Sequence, residues 1–337
     1  MGTSTRMAEV VLRTGDGVLA DQVRRLTDLA GIALVVVPED RVLPAAAVTL
    51  DAGPTGDLAV RVDPVRVQPA AVTDAVPTSV RLPADDATLL DVLVMAGTPH
   101  RARTVGVVGA HGGAGASVLA AGLARACVGA GAATALVDLD PAGGGLDVLL
   151  GLEHDPGRRW ADVHGERGAL LPEQLALALP TWHLVRVLSG DRRGGAQAED
   201  LVVRSAVRAL GQGHDVVVLD LPRQVLAPGP AQELWLGWCA DLVLLTCGGV
   251  RGGAAAQAVG GLAGTAVPVD RVHLVVRERG QDAEDIAAAA GLALTARMRD
   301  ERALPAGIEH GVTPGDQRRG GVMTTARALV EKLGLDP

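Results

Sequence analysis

The stretch Gly109–Ser117, GAHGGAGAS, follows an apolar run, TVGVVGA (104–110), and opens a second one, SVLAAGLARACVG (117–129). Read as strand, loop and helix, it presents free backbone N–H groups and the positive end of a helix dipole to an anion. Glycines at 109, 112, 113 and 115 let the backbone approach a phosphate closely, and Ser117 lies where a hydroxyl reaches Mg²⁺. The spacing fits G-x-x-x-x-G-x-S, with Ala116 standing where the general pattern has lysine. The expected contacts are Gly109, Gly112, Gly113, Ala114, Gly115, Ala116, Ser117 and Val118.

Outward from the loop, two carboxylate positions strengthen this reading. ALVDLDP (135–141) ends a strand with Asp138 and Asp140, and DVVVLDLP (215–222) ends another with Asp220. Aspartates at the C-terminal ends of parallel strands face the edge where such sheets bind ligands. A metal ion there would be held by Ser117, with Asp140 or Asp220 contributing directly or through water.

Between and beyond these blocks, Val/Leu-rich strands alternate with helices expected at 117–130, 198–212, 231–239 and 252–264. That pattern predicts a doubly wound, mostly parallel α/β sheet over 104–337. WHLVRVLSG (182–190) reads as one further strand. Residues 1–96 read as a smaller α/β domain of five strands and two clear helices, flavodoxin-like in pattern, and GTPHRAR (97–103) as the linker. The smaller domain resembles the receiver domains of two-component signalling only in pattern. Asp16 and Asp51 are suggestively placed but no lysine completes the site, so both read as turn aspartates in a pseudo-receiver.

Composition narrows the function. The chain has 337 residues, a formal net charge of −8 and 48% hydrophobic residues, with no Phe, no Tyr and only four Trp. A dedicated nucleic-acid binder needs a concentrated basic face, which this balance argues against. Cys127, Cys239 and Cys247 lack metal-ligand spacing and read as buried thiols in a reducing compartment. No secretory segment begins the chain, and the long apolar run 118–137 contains Arg125 and several glycines, so the expected location is cytoplasmic.

The ordered blocks HGGAGAS, DLDP and VVVLDLP resemble the MinD/ParA family of deviant Walker A ATPases, over about residues 104–333. RMRDERALPAGIEHG (297–311) resembles that family's segment before its last helix, and the turn DPAGGGLD (140–147) together with the pseudo-receiver resembles its CpaE-like branch. The resemblance implies ATP or ADP with Mg²⁺ as ligands, a homodimer, and partners in division-septum placement or in Tad pilus and secretion assembly. It also implies Asp140 as the catalytic carboxylate of an active member. Both family lysines are replaced: the one that crosses the dimer interface is His111, and the loop lysine is Ala116. The family's base-holding asparagine corresponds to Arg277. Lys332 is the only lysine in the chain. Weak nucleotide binding with little hydrolysis is therefore expected, because phosphoryl transfer depends on such cations.

Other readings stay open at this point. His111 is either a polar loop residue or, protonated, a substitute cation. Arg223 or Arg251 could replace the lysines in an active ATPase. Gly109, Gly113 and Gly115 also fit a dinucleotide fold with Asp138 on a ribose, although the Tyr-Lys pair of short-chain dehydrogenases is missing. A scaffold without a nucleotide switch is the third class. The tail TTARALVEKLGLDP (324–337) places Ala326, Leu329, Val330 and Leu333 on one face with few cations, which predicts a packed helix and no direct membrane anchor.

Overall fold

A computed structural model describes residues 10–30, 32–54, 56–62, 79–97, 102–165, 170–196, 201–278 and 283–337. The chain divides into two compact units, residues 1–100 with 167–171, and residues 101–166 with 172–337. Residues 98–101 of the expected linker lie outside the described residues.

In the smaller unit, β1 (Val10–Arg13), α1 (Gly17–Ala30), β2 (Leu34–Val37), β3 (Val48–Ala52), β4 (Leu58–Val62), β5 (Ser79–Val80) and α2 (Asp86–Gly97) follow in order. The sheet runs β2-β1-β3-β4-β5, which is the flavodoxin-like order. Its direction departs from the expected pattern: β1 is parallel to β2 and β3, but β4 is antiparallel to β3 and β5. The reason is length. Only residues 53–57 join β3 to β4, enough for a hairpin, whereas a parallel crossover needs a dozen residues or more. Val10, Leu12, Val23, Leu50, Leu58 and Leu93 form this unit's aliphatic core.

Both suggestive aspartates have structural duties here. The Asp16 carboxylate accepts the N–H groups of Val18 and Leu19 at 2.8 and 3.3 Å and so caps α1. Asp51 lies beside Arg13 in register, and the two side chains form a bidentate pair whose Nε–Oδ1 arm is 2.8 Å. The Arg13 hydrogen bond holds the Asp51 carboxyl below its ordinary range.

The larger unit contains β6 (Arg103–Gly109), α3 (Ala116–Gly129), β7 (Thr134–Asp138), α4 (Leu146–Leu150), α5 (Trp160–Val163), α6 (Pro172–Ala178), β8 (Thr181–Trp182) and β9 (Val185–Leu188). It continues with α7 (Leu201–Gly213), β10 (Val216–Leu221), α8 (Pro230–Gly237), β11 (Asp241–Cys247), α9 (Val250–Ala266), β12 (Val272–Arg277), α10 (Ala283–Ala290), β13 (Leu294–Met298), α11 (Leu304–Ile308) and α12 (Gly321–Leu333). Its eight strands are ordered β13-β12-β11-β6-β10-β7-β9-β8 and are parallel except for β8. The central strands are buried along their whole length, as a sheet covered on both faces requires. Since β6 is central and flanked by β10 and β11, the chain reverses direction of travel around it, and its C-terminal end opens at the switch point of the sheet.

Two local outcomes differ from, or sharpen, the sequence reading. The stretch 182–190 is not one strand: His183 and Leu184 adopt φ of 46° and 69° and fold β8 back on β9. Two-residue turns of this hand ordinarily advertise themselves with Asn-Gly or Asp-Gly, and neither is present. The tail does form the expected packed helix. Ala326, Leu329, Val330 and Leu333 are all buried, and α12 lies along α3. The approach is close enough that a methyl on Gly122 would stand 2.6 Å from Val322 Cγ1. The three cysteines are free and buried, and burial pushes the thiols of Cys127 and Cys239 up to about 12. No helix among the described residues is long and apolar enough to cross a membrane.

Candidate functional site

The predicted loop leaves β6 and enters α3 as expected, with left-handed backbone at Gly113 (φ 75°) and Gly115 (φ 100°). An L side chain is strained at both positions, so the loop's path depends on glycine there. Gly109 and residues 111–118 line a cleft of about 640 Å³ that also takes in Asp138, Asp140, the glycine turn 143–145, Asp220 and Arg223. Every residue expected to contact the nucleotide, and all three expected metal ligands, therefore meet at one edge of the sheet.

The carboxylates are not equivalent. Asp138 and Asp220 are register neighbours on β7 and β10, and both are buried. Asp138 accepts backbone N–H groups from Asp140 and Leu146, each at 3.0 Å, and the Ser189 hydroxyl at 3.1 Å. Its own carbonyl receives the Trp160 indole N–H at 2.7 Å. Burial raises its pKa despite these donors. With this many internal partners, Asp138 serves as an anchor for the following turn, which counts against the ribose-binding role of the dinucleotide alternative.

Asp220 accepts a hydrogen bond from Ser117, yet burial, with Asp138 and Asp140 nearby, pushes its carboxyl up to about 8. Like charges around one site resist simultaneous ionisation. Asp140 is half-buried and accepts the Ala142 N–H at 3.0 Å. Among the described residues, no three His, Cys, Asp or Glu side chains converge to hold a metal ion by themselves. The residues present still fit a phosphate-associated Mg²⁺, which draws only one or two protein ligands and takes the rest from phosphates and water. Ser117 and Asp220 would supply those ligands, with Asp140 next in line. Backbone N–H groups of the loop suit a phosphate chain, but Ala116 brings no charge to it.

The cation candidates fall in different places. Lys332 donates to the Thr295 carbonyl from α12 and does not line the cleft. The His111 ring is bound to its surroundings: Nδ1 lies 2.9 Å from the Gly112 carbonyl, and Nε2 is 3.3 Å from the Cys247 N–H. Both ring nitrogens are thus engaged within the chain, Nε2 accepting the Cys247 N–H. Arg277 sits beneath the loop, paired with Asp300 at 2.6 Å and donating to the Ala114 carbonyl at 3.4 Å. It braces the loop and does not line the cleft. Among the described residues only Arg223, exposed just after β10, brings a guanidinium to it; Arg251, in the first turn of α9, lines a neighbouring cleft. Sequence reasoning missed Ser189 and Trp160, whose link to Asp138 spans 51 and 22 residues and leaves no local pattern.

No family model matches the chain. Two Mycobacterium tuberculosis proteins, Rv3660c of strain H37Rv and MT3760 of strain CDC 1551, are each 36% identical to it over 252 residues, which is 72% of this chain and 69% of theirs. Among solved structures, MinD in the MinC:MinD cell division complex of Aquifex aeolicus is similar with a TM-score of 0.54 at 18% identity, covering 69% of this chain and 96% of that one. The ParA family ATPase of Chlorobium tepidum gives 0.53 at 16%, over 69% and 99% of the two chains. The septum site-determining protein MinD of Pyrococcus horikoshii, complexed with Mg-ADP, gives 0.53 at 17%, over 69% and 96%. The chain thus carries the MinD/ParA-type P-loop fold and belongs to the family of the mycobacterial protein Rv3660c.

Proposed function

We propose that this chain is a spatial regulator of septum-site selection and cell division. In this reading it is a CpaE-like member of the MinD/ParA group, resembling the septum site-determining protein Ssd, and acts through protein contacts with weak nucleotide binding and little or no hydrolysis. One observation carries the reading: the loop keeps its shape and its carboxylate surroundings while Ala116 and a tethered His111 occupy the two lysine positions. Transition-state charge in phosphoryl transfer requires fixed cations. The exposed Arg223 is the one guanidinium among the described residues lining the cleft.

The smaller unit acts in this scheme as a pseudo-receiver. Its Asp51 is engaged by Arg13, which supports a constitutive docking module over a phosphorylation switch. The protein works in the cytoplasm as a homodimer and reaches the septum, pole or inner membrane face through a partner, because the apolar face of α12 is consumed by packing.

The test is depletion and overexpression in the native host, scored for septum position and cell length and in parallel for pilus or secretion output. Displaced septa with unaltered secretion support the reading. Altered pili or secretion with normal septa would replace it with a localisation factor for that machinery.

A further inference from the structure

Across the tip of the P-loop lies a second cleft, of about 790 Å³. The two clefts share His111, Gly112, Gly113 and Arg223, so the loop tip is the wall between them. Their linings differ. Three aspartates line the first, whereas no described carboxylate lines the second, whose ionised side chains are Arg223 and Arg251. Both arginines are exposed, and neither forms an ion pair with a described residue. In a chain with 39 acidic and 31 basic residues, two unneutralised guanidiniums facing one cavity mark a place with a defined preference for anions. The floor is small: Gly248 and Gly249 are half-exposed, and the first turn of α9 adds potential of the same sign.

We propose that this second cleft is a metal-independent phosphate site, taking the phosphoryl group of a small phosphorylated ligand between Arg223 and Arg251. Guanidinium groups bind phosphate through paired N–H donors, and the cavity has the volume of an ordinary small-ligand pocket. The site differs in kind from the P-loop cleft, which is lined by Asp138, Asp140 and Asp220 and fits a phosphate together with Mg²⁺. The proposal is independent of the septum reading and would stand if that reading fell.

The test is calorimetric titration with inorganic pyrophosphate in EDTA, using wild type, Arg251→Ala and Ser117→Ala. Arg251 lines only the second cleft and Ser117 only the first. Pyrophosphate should bind wild type without metal, Arg251→Ala should weaken it about tenfold or more, and Ser117→Ala should leave it nearly unchanged. Absence of binding at about 10 mM, near the weak limit of such interactions, overturns the proposal. So does a loss confined to Ser117→Ala, which would put the anion in the P-loop.

Discussion

Replacing Ala116 with lysine should turn a poor nucleotide site into a serviceable one. Ala116 opens α3, is half-buried and faces a cleft with three aspartates and one exposed arginine. A unit charge about 4 Å from a phosphate oxygen contributes roughly 4 kcal/mol at an effective dielectric of about 20. Desolvation and ordering of the lysine side chain remove roughly half. The remaining ~2 kcal/mol corresponds to roughly thirtyfold in affinity. Calorimetric titration with ATP and Mg²⁺ should show no saturation of wild type below millimolar ATP and a clear isotherm for Ala116→Lys, with a melting temperature close to wild type as the control for folding. Micromolar binding by wild type would refute the reasoning, since another group would then be supplying the missing charge. So would an unchanged isotherm for a folded Ala116→Lys.

The buried Asp220, with its pKa near 8, keeps its proton in the folded chain over a range where the unfolded chain has released it. Stability should therefore fall as pH rises from about 4 to 8, by up to a few kcal/mol; urea unfolding at pH 5 and 8 should show a smaller fall for Asp220→Asn, and equal falls would contradict the assignment. His111→Ala should leave the pH dependence of ATP affinity between about 6 and 8 unaltered, because both ring nitrogens are held by the chain's own Gly112 carbonyl and Cys247 N–H; a dependence lost in the variant would restore the imidazolium as a phosphate partner. Trp160→Phe should cost about 1–3 kcal/mol, read as a lowered melting temperature, by orphaning the buried Asp138 carbonyl.

How much of this was legible in the sequence depends on the range over which each feature is encoded. The loop, its glycines and the strand-end aspartates are local patterns, and the larger sheet follows from apolar runs that tolerate only burial. The packed tail helix was equally readable, because Ala326, Leu329, Val330 and Leu333 recur at helical spacing. Strand direction in the smaller unit is not carried by the apolar pattern, because period-two alternation is the same in parallel and antiparallel strands; the short 53–57 connection sets it for β4. The β8–β9 turn lacks glycine and so gave no signal. The tethering of His111 to Cys247 joins residues 136 apart, a contact that only the sheet order creates.

The close crossing of α12 over α3 also limits what the tail can do. Detaching α12 would strip cover from Val322, Met323, Leu329, Val330 and Leu333, all buried now. At about 1.5–3 kcal/mol for each large apolar side chain, that is roughly 8–15 kcal/mol. The whole stability of a typical domain lies in the same range, about 5–15 kcal/mol. Release of this helix and loss of the fold are thus one event, and no regulatory signal of ordinary size could use the tail as a deployable arm.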